Sequence, residues 1–103
     1  MKHYRQSAIL DLVTRESIGS RASTDAAVRR AVVDYMRSVD QVQQLLVLRT
    51  DAGLAQPLAL AIDRARIREV VGTVAGDDTI FVITRHARAG REVTRLFEGW
   101  ARG

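Results

Sequence analysis

Two short apolar runs constrain the fold of this chain more than any other feature. They are Leu45–Leu48 and Thr79–Thr84, and both are shorter than the ten or more residues that a buried helix needs. Residues 49–53 follow the first run and residues 76–78 precede the second, and both segments contain Gly and Asp, which favour turns. The sequence therefore predicts two buried strands, and the second is apolar on both faces, which favours a central position in a sheet.

A third strand is predicted over Val70–Val74, separated from Thr79–Thr84 by the turn Gly76-Asp77-Asp78. The short connection indicates that these two strands form an antiparallel β-hairpin.

The spacing of apolar residues predicts two helices in the first half of the chain. Residues 4–15 carry Ala8, Ile9, Leu12 and Val13 on one face, and Gly19-Ser20 is read as a stop. A second helix is expected from Ser23 or Thr24. Its apolar stripe consists of Val28, Val32, Tyr35, Val39 and Val42.

Two more helices are predicted in the second half. One begins near Gly53 or Leu54, because Pro57 is tolerated only in the first turn of a helix. The other runs from Arg88 to Trp100, with Val93, Leu96, Phe97 and Trp100 on its inner face.

This order of elements predicts an α/β fold: a two-layer sandwich of a small, mainly antiparallel sheet with helices on one face, preceded by a short N-terminal helix. We divide the chain into residues 1–22 and residues 23–103. The other face of the sheet, or an exposed helix stripe, would need a partner subunit.

Composition excludes several kinds of site and several classes of protein. The absence of cysteine excludes disulfides and thiolate metal sites. No apolar run approaches the roughly 20 residues that span a bilayer, and no signal peptide is evident, so we expect a soluble cytoplasmic protein without a membrane partner. The net charge of +4 is carried almost wholly by arginine. That charge suits an anionic partner such as nucleic acid, but a high-GC genome also enriches arginine.

Three features could carry ligand chemistry. Asp77 and Asp78 lie at the hairpin turn, and a carboxylate accepts the planar fork of a guanidinium. The helix beginning near Gly53 offers backbone N–H groups to an anion, and Gln56 lies in its first turn. Asp63 follows on the same helix. Each feature taken alone is more often an ordinary turn, cap or surface carboxylate, but together they could bind a small zwitterion with a cationic end.

The stretch from Leu45 to Trp100 resembles the C-terminal domain of bacterial arginine repressors. Residues 71–80, Val-Gly-Thr-Val-Ala-Gly-Asp-Asp-Thr-Ile, match the family signature Gly-Thr-(Ile/Val)-Ala-Gly-Asp-Asp-Thr. Val47-Leu48-Arg49-Thr50, Gly53-x-Ala55-Gln56 and Ile62-Asp63 agree with the family in order and spacing. With the preceding helix, the resemblance covers about residues 24–100, and Pro57 departs from the simple apolar residue that is usual in the family.

The resemblance implies an α/β domain that forms trimers, two of which stack into a hexamer and bind L-arginine, the co-repressor, between them. Gln56, Asp63, Asp77 and Asp78 are then the expected ligand residues, with Asp77 on the guanidinium of an arginine held mainly by the opposing trimer. Ala55 and the helix N-terminus would seat the backbone end of the ligand. No other cofactor and no metal is expected.

The front of the chain departs from the family, which begins with a winged helix. Residues 5–21 resemble its first helix and the residues after it, whereas the recognition helix and wing have no counterpart. We therefore expect an arginine-sensing oligomerisation core of a transcriptional regulator that contacts DNA only weakly or indirectly. It could be an engineered fragment, an internally deleted relative, or a subunit that mixes with full-length repressor.

Three alternatives stay open at this point. The first is a DNA-binding repressor with a reduced N-terminal module. The second is a structural oligomer that has lost ligand binding. The third is an enzyme using Asp77 and Asp78, which the absence of a nucleophile motif near His3 or His86 disfavours.

Overall fold

The computed structural model describes residues 3–4 and 18–103. Its helices and strands, in chain order, are β1 (His3–Tyr4), α1 (Ile18–Tyr35), β2 (Ser38–Val42), β3 (Leu45–Arg49), α2 (Ala55–Ala65), β4 (Val70–Ala75), β5 (Thr79–Thr84) and α3 (Ala87–Arg102). The strands form one sheet in the order β1-β4-β5-β3-β2, and every neighbouring pair is antiparallel. The predicted central position of β5 is confirmed.

The connection from β3 to β4 positions the candidate site. Both strands pair antiparallel with β5, so they run in the same direction with β5 between them, and α2 carries the chain across. Arg49 at the end of β3 pairs with Thr79 at the start of β5, and Ala75 at the end of β4 pairs with Ile80. The β3–α2 junction and the β4–β5 turn therefore lie at the same end of the sheet.

One face of the sheet is buried under the helices. Leu46 and Leu48 on β3 alternate with partly exposed neighbours, as do Ile80 and Val82 on β5. These side chains form a single core with inward-facing residues of all three described helices, which include Val32, Leu58, Ile62, Val93 and Phe97. The predicted two-layer α/β sandwich with helices on one face is confirmed, and α1 is the first of its described helices.

The face predicted for the last helix is correct in three of four residues. Val93 and Phe97 are buried, and the ring of Trp100 stacks on that of Phe97 with centroids 5.6 Å apart. Leu96, however, is 39% exposed. It precedes Phe97 by one residue, and one residue turns the helix by about 100°, so Leu96 lies at the edge of the buried face.

The prediction that Val39 and Val42 continue a helix is wrong, because α1 ends at Tyr35 and both residues belong to β2. Pairing with β3 satisfies the backbone of this segment, and Val39 lies opposite Leu48. Val42 lies on the other side of the strand and is 59% exposed.

The predicted start of that helix is also wrong, since α1 begins at Ile18 and includes Gly19 and Ser20. A single glycine costs a helix about 1 kcal/mol, which weakens the helix without ending it. The helix predicted over residues 4–15 lies outside the described residues, apart from Tyr4, which pairs with Val74 in the sheet. In the described part of the chain, no helix is long and apolar enough to cross a membrane.

Candidate ligand-binding site

Three backbone hydrogen bonds join the β3–α2 junction to the β4–β5 turn. The N–H of Thr50 donates to the carbonyl oxygen of Asp78 over 2.9 Å. The N–H groups of Gly53 and Ala55 donate to the carbonyl oxygen of Asp77 over 3.1 and 3.2 Å. The backbones of both predicted aspartates are therefore fixed by the element that precedes α2.

The start of α2 depends on this contact. Leu54 is the N-cap residue and makes no side-chain capping bond, so the N–H of Ala55 is satisfied by the turn instead. Gly53 has φ +83°, a left-handed conformation that glycine adopts without steric cost. Pro57 is the third residue of the helix, where the expected tolerance for a missing N–H is confirmed. The side chain of Ala55 is fully buried.

The carboxylates of Asp77 and Asp78 are exposed at the tip of the hairpin. The hydroxyl of Thr79 donates to Oδ1 of Asp78 over 2.9 Å and accepts from Nη1 of Arg49 over 3.2 Å. Arg49 is brought there by its cross-strand pairing with Thr79. This chain of contacts orients the Asp78 carboxylate.

Gln56 and Asp63 both face β4 from α2. Nε2 of Gln56 donates to the carbonyl oxygen of Ala75 over 3.0 Å, next to the turn. Asp63 is 8% exposed, and its two carboxylate oxygens lie 3.1 and 3.2 Å from the hydroxyl of Thr73. Seven residues of helix separate the two side chains, about 10 Å along the axis.

The structure therefore brings Ala55, Gln56, Asp77 and Asp78 together at one end of the sheet. It places Asp63 two helical turns away, against the middle of β4. The arrangement offers two exposed carboxylates on a fixed backbone beside a glutamine, which suits a cationic group, and a more deeply placed aspartate about 10 Å away along the helix. No group of His, Cys, Asp or Glu that could hold a metal ion occurs among the residues that the structure describes.

An ion pair that the sequence analysis missed braces the same junction. Arg37 donates from Nε and Nη2 to the two carboxylate oxygens of Asp51 over 3.1 and 2.7 Å. Arg37 precedes β2, and its N–H bonds to the carbonyl oxygen of Arg49 at the end of β3. The pair therefore ties the start of β2 to the residue that follows Thr50. No local pattern indicates it, because its partners are 14 residues apart and meet only once β2 pairs with β3.

The hydrogen bond and charge of Arg37 lower the pKa of Asp51, although desolvation partly opposes them. The pKa of Arg37 is raised, first by its hydrogen bond to Asp51 and then by that charge. A carboxyl whose pKa is lower in the folded state adds stability above its unfolded pKa, which is about 3.9, and loses it as the pH falls through the folded pKa.

Replacing Asp51 by asparagine should therefore lower the denaturation midpoint slightly at pH 7 and by less at pH 3, because pH 3 lies below the unfolded pKa and part of the contribution is lost there. Chemical denaturation of both proteins at the two pH values measures this. Asp40→Asn is the matched control, because Asp40 is exposed on β2 and makes no ion pair with any described residue. A difference for Asp51→Asn that is as large at pH 3 as at pH 7 would contradict the electrostatic role of the pair.

Thr73 and Thr79 were recognised only as parts of a motif, and the structure assigns each a contact. Thr73 is fully buried in β4, where its hydroxyl lies against the Asp63 carboxylate. A hydroxyl on the buried face of a strand needs a hydrogen-bond partner, and an acidic residue on the helix that covers the strand can supply one. The pairing of Thr73 with Asp63 could therefore be predicted only once the strand register is known.

Comparison with known proteins relates this chain to the arginine repressors. The model of the arginine repressor C-terminal domain family matches residues 32–99. The chain is similar to the arginine repressor of Pelotomaculum thermopropionicum, with 42% identity over 71 residues that make up 69% of this chain and 47% of that protein. It is also similar to the arginine repressor of Koribacter versatilis, with 46% identity over 65 residues, or 63% and 44% of the two chains. The chain spans about half the length of these curated relatives.

Proposed function

Because this chain belongs to the arginine repressor family, whose C-terminal domain it matches, we propose that it is the arginine-sensing and oligomer-forming core of a transcriptional regulator. In this proposal L-arginine is the only small ligand, the oligomer is a trimer or a pair of stacked trimers, and the protein acts in the cytoplasm. The family is one of regulators rather than enzymes.

One observation carries the ligand proposal. Asp77 and Asp78 present exposed carboxylates while their carbonyl oxygens are held by the N–H groups of Thr50, Gly53 and Ala55. A binding group on a fixed backbone loses little conformational entropy when its ligand arrives. We assign Asp77 to the guanidinium, because a carboxylate can accept two parallel N–H bonds from that group.

The other predicted residues are assigned by their positions around this turn. Gln56 lies at the first turn of α2 beside Ala75, where it could meet the backbone end of a ligand. Asp63 lies about 10 Å further along the helix, held against Thr73. Because of this separation, we propose that Asp63 and Asp77 contact different ends of the ligand, or ligands bound by different subunits.

The oligomer proposal is supported by the sheet face that the described helices leave uncovered. Val47, Phe81 and Val74 lie side by side across β3, β5 and β4, and each is only partly buried. Leu45 and Ile83 form a second apolar pair beside them. An apolar patch of this extent marks an interaction surface, and a second copy of the chain is the partner we propose for it.

DNA recognition by sequence is not assigned to this part of the chain. We propose that residues 23–103 form the sensing domain and that residues 1–22 are a remnant of a winged helix, with α1 running across that division. In a mixed oligomer with full-length repressor subunits, this chain would contribute arginine sites.

Calorimetric titration of the purified chain with L-arginine tests the ligand proposal. L-citrulline is the control ligand, because it keeps the shape of arginine and removes the charge of the guanidinium. We expect saturable heat from arginine and none from citrulline. Sedimentation of the same samples should show a larger assembly with arginine than without it, if the ligand bridges subunits.

The two measurements separate the parts of the proposal. Absence of arginine heat would contradict the sensing role and would leave a structural oligomer as the better reading. Equal heat from both ligands would show that binding does not depend on the guanidinium charge. A monomer at every concentration and with saturating arginine would contradict the oligomeric role alone.

A further inference from the structure

The outer face of α3 carries a narrow row of arginines. Arg88, Arg91, Arg95 and Arg102 follow one another at steps of three, four and seven residues. At about 100° per residue, these four positions fall within an arc of roughly 60°. The row, which we call the arginine stripe, extends over 14 residues of helix, or about 21 Å.

The arginine stripe lies opposite the face that α3 buries. The buried residues of the helix are Ala89, Gly90, Val93 and Phe97, and the centre of that arc lies about 180° from the centre of the stripe. All four stripe residues are exposed. The packing of α3 against the sheet therefore turns every arginine of this helix outward.

Few carboxylates neutralise the stripe. Arg88 lies 3.9 Å from Glu92, a distant surface contact. Arg91, Arg95 and Arg102 form no ion pair with any residue in the described part of the chain. The helix as a whole has four arginines against two glutamates, Glu92 and Glu98, which flank the stripe. Three of the four guanidinium groups in this exposed row therefore have no ion-pair partner among the described residues.

We propose that the arginine stripe binds the phosphate backbone of duplex DNA without regard to base sequence. A partner that engages the whole row must be a rigid polyanion at least 20 Å long, and B-DNA carries one charge per roughly 1.7 Å of its axis. Guanidinium groups bind phosphate oxygens bidentately. The choice of DNA rests on the proposed function as a transcriptional regulator.

A membrane surface suits the stripe less well. Helices that lie on membranes insert an apolar face beside their basic residues. The apolar face of α3 is occupied by the core of the protein, so insertion would require the fold to open.

The test measures binding of the full chain to a fluorescent 30-base-pair duplex by anisotropy at several salt concentrations. Four phosphate contacts predict a slope of log affinity against log salt of about −4. The variant R91Q/R95Q should bind roughly 10-fold more weakly or worse at low salt, with the slope reduced in magnitude by about 2. R91K/R95K keeps the charges and should retain most of the affinity.

The control is R29Q/R64Q, which removes the same charge from two exposed arginines on α1 and α2. It should bind DNA nearly as well as the unmodified chain. Equal losses of affinity in R91Q/R95Q and R29Q/R64Q would overturn the proposed role of the arginine stripe, because binding would then depend only on net charge. No binding by the unmodified chain in 50 mM salt, or binding to heparin and single-stranded RNA but not to the duplex, would also overturn it.

Arginine calorimetry on R91Q/R95Q keeps this inference separate from the proposed function. The stripe lies outside the candidate site, so arginine affinity should equal that of the unmodified chain. Loss of DNA binding with arginine binding intact supports the stripe. DNA binding without any arginine binding in the unmodified chain would contradict the sensing proposal but not the proposed role of the arginine stripe.

Discussion

Replacing Asp77 by asparagine is expected to weaken L-arginine binding by about 10- to 100-fold and to leave the fold intact. A hydrogen bond to a charged group contributes about 1.5–3 kcal/mol, and each 1.4 kcal/mol is tenfold in affinity. Asparagine keeps the shape of the side chain but loses the charge and one acceptor oxygen. The structural bonds at Asp77 run through its carbonyl oxygen, which the substitution retains.

Calorimetry with L-arginine measures the loss, and thermal denaturation without ligand checks the fold. Asp34→Asn is the matched control, because Asp34 is exposed on α1 and its replacement removes the same charge. We expect the control to bind arginine as the unmodified chain does. An unchanged affinity in Asp77→Asn would contradict the guanidinium assignment, and equal losses in both variants would point to net charge instead.

Most of the second half of the fold could be predicted because its signals are local. The apolar runs of β3 and β5 are too short for helices, and Gly76-Asp77-Asp78 marks the turn between β4 and β5. The position of Pro57 fixed the start of α2 to within a residue or two. In each case the deciding residues lie within the element or at its ends.

The β2–β3 hairpin could not be predicted because its signals conflict. Val39 and Val42 continue the helical spacing of α1, and the turn is Gln43-Gln44 rather than the Asn-Gly that usually marks a two-residue hairpin. Gln43 adopts φ 56°, a conformation in which glutamine is uncommon. Pairing with β3 overrides the local preference of this segment for a helix. That pairing cannot be inferred from the sequence of one segment alone.

The candidate site also contains residues that the sequence predicts and residues that only the structure reveals. Asp77, Asp78, Gln56 and Asp63 are predicted as ligand residues from sequence motifs. The side chains that support them depend on contacts between distant segments. Arg49 reaches Thr79 because β3 pairs with β5, and Arg37 reaches Asp51 because β2 pairs with β3. These contacts depend on the register in which the strands pair, so they could not be assigned from the sequence alone.

The close approach of α3 to the β2–β3 turn depends on Gly90. A Cβ placed on Gly90 would lie 2.7 Å from the carbonyl oxygen of Gln43 and 2.8 Å from Nε2 of Gln41. The glutamine side chain is flexible at its end, whereas the carbonyl belongs to the backbone of the turn. That turn is also tied to the start of α3, since Nε2 of Gln41 donates to the carbonyl oxygens of both Gln43 and Ala87.

Replacing Gly90 by alanine is therefore expected to destabilise the fold, because forcing a methyl group into a packed interior costs about 1–3 kcal/mol and the helical preference of alanine offsets only about 0.5–1 kcal/mol of that cost. For a domain of this size, each kcal/mol lowers the melting temperature by roughly 4–8 °C. Gly99→Ala on the same helix is the control, because a Cβ there meets nothing within 4 Å. Alanine favours the helical backbone over glycine, so the control should gain about 0.5–1 kcal/mol. Thermal and chemical denaturation of the two variants should thus move in opposite directions, and a gain of stability in both would show that α3 does not press on the β2–β3 turn.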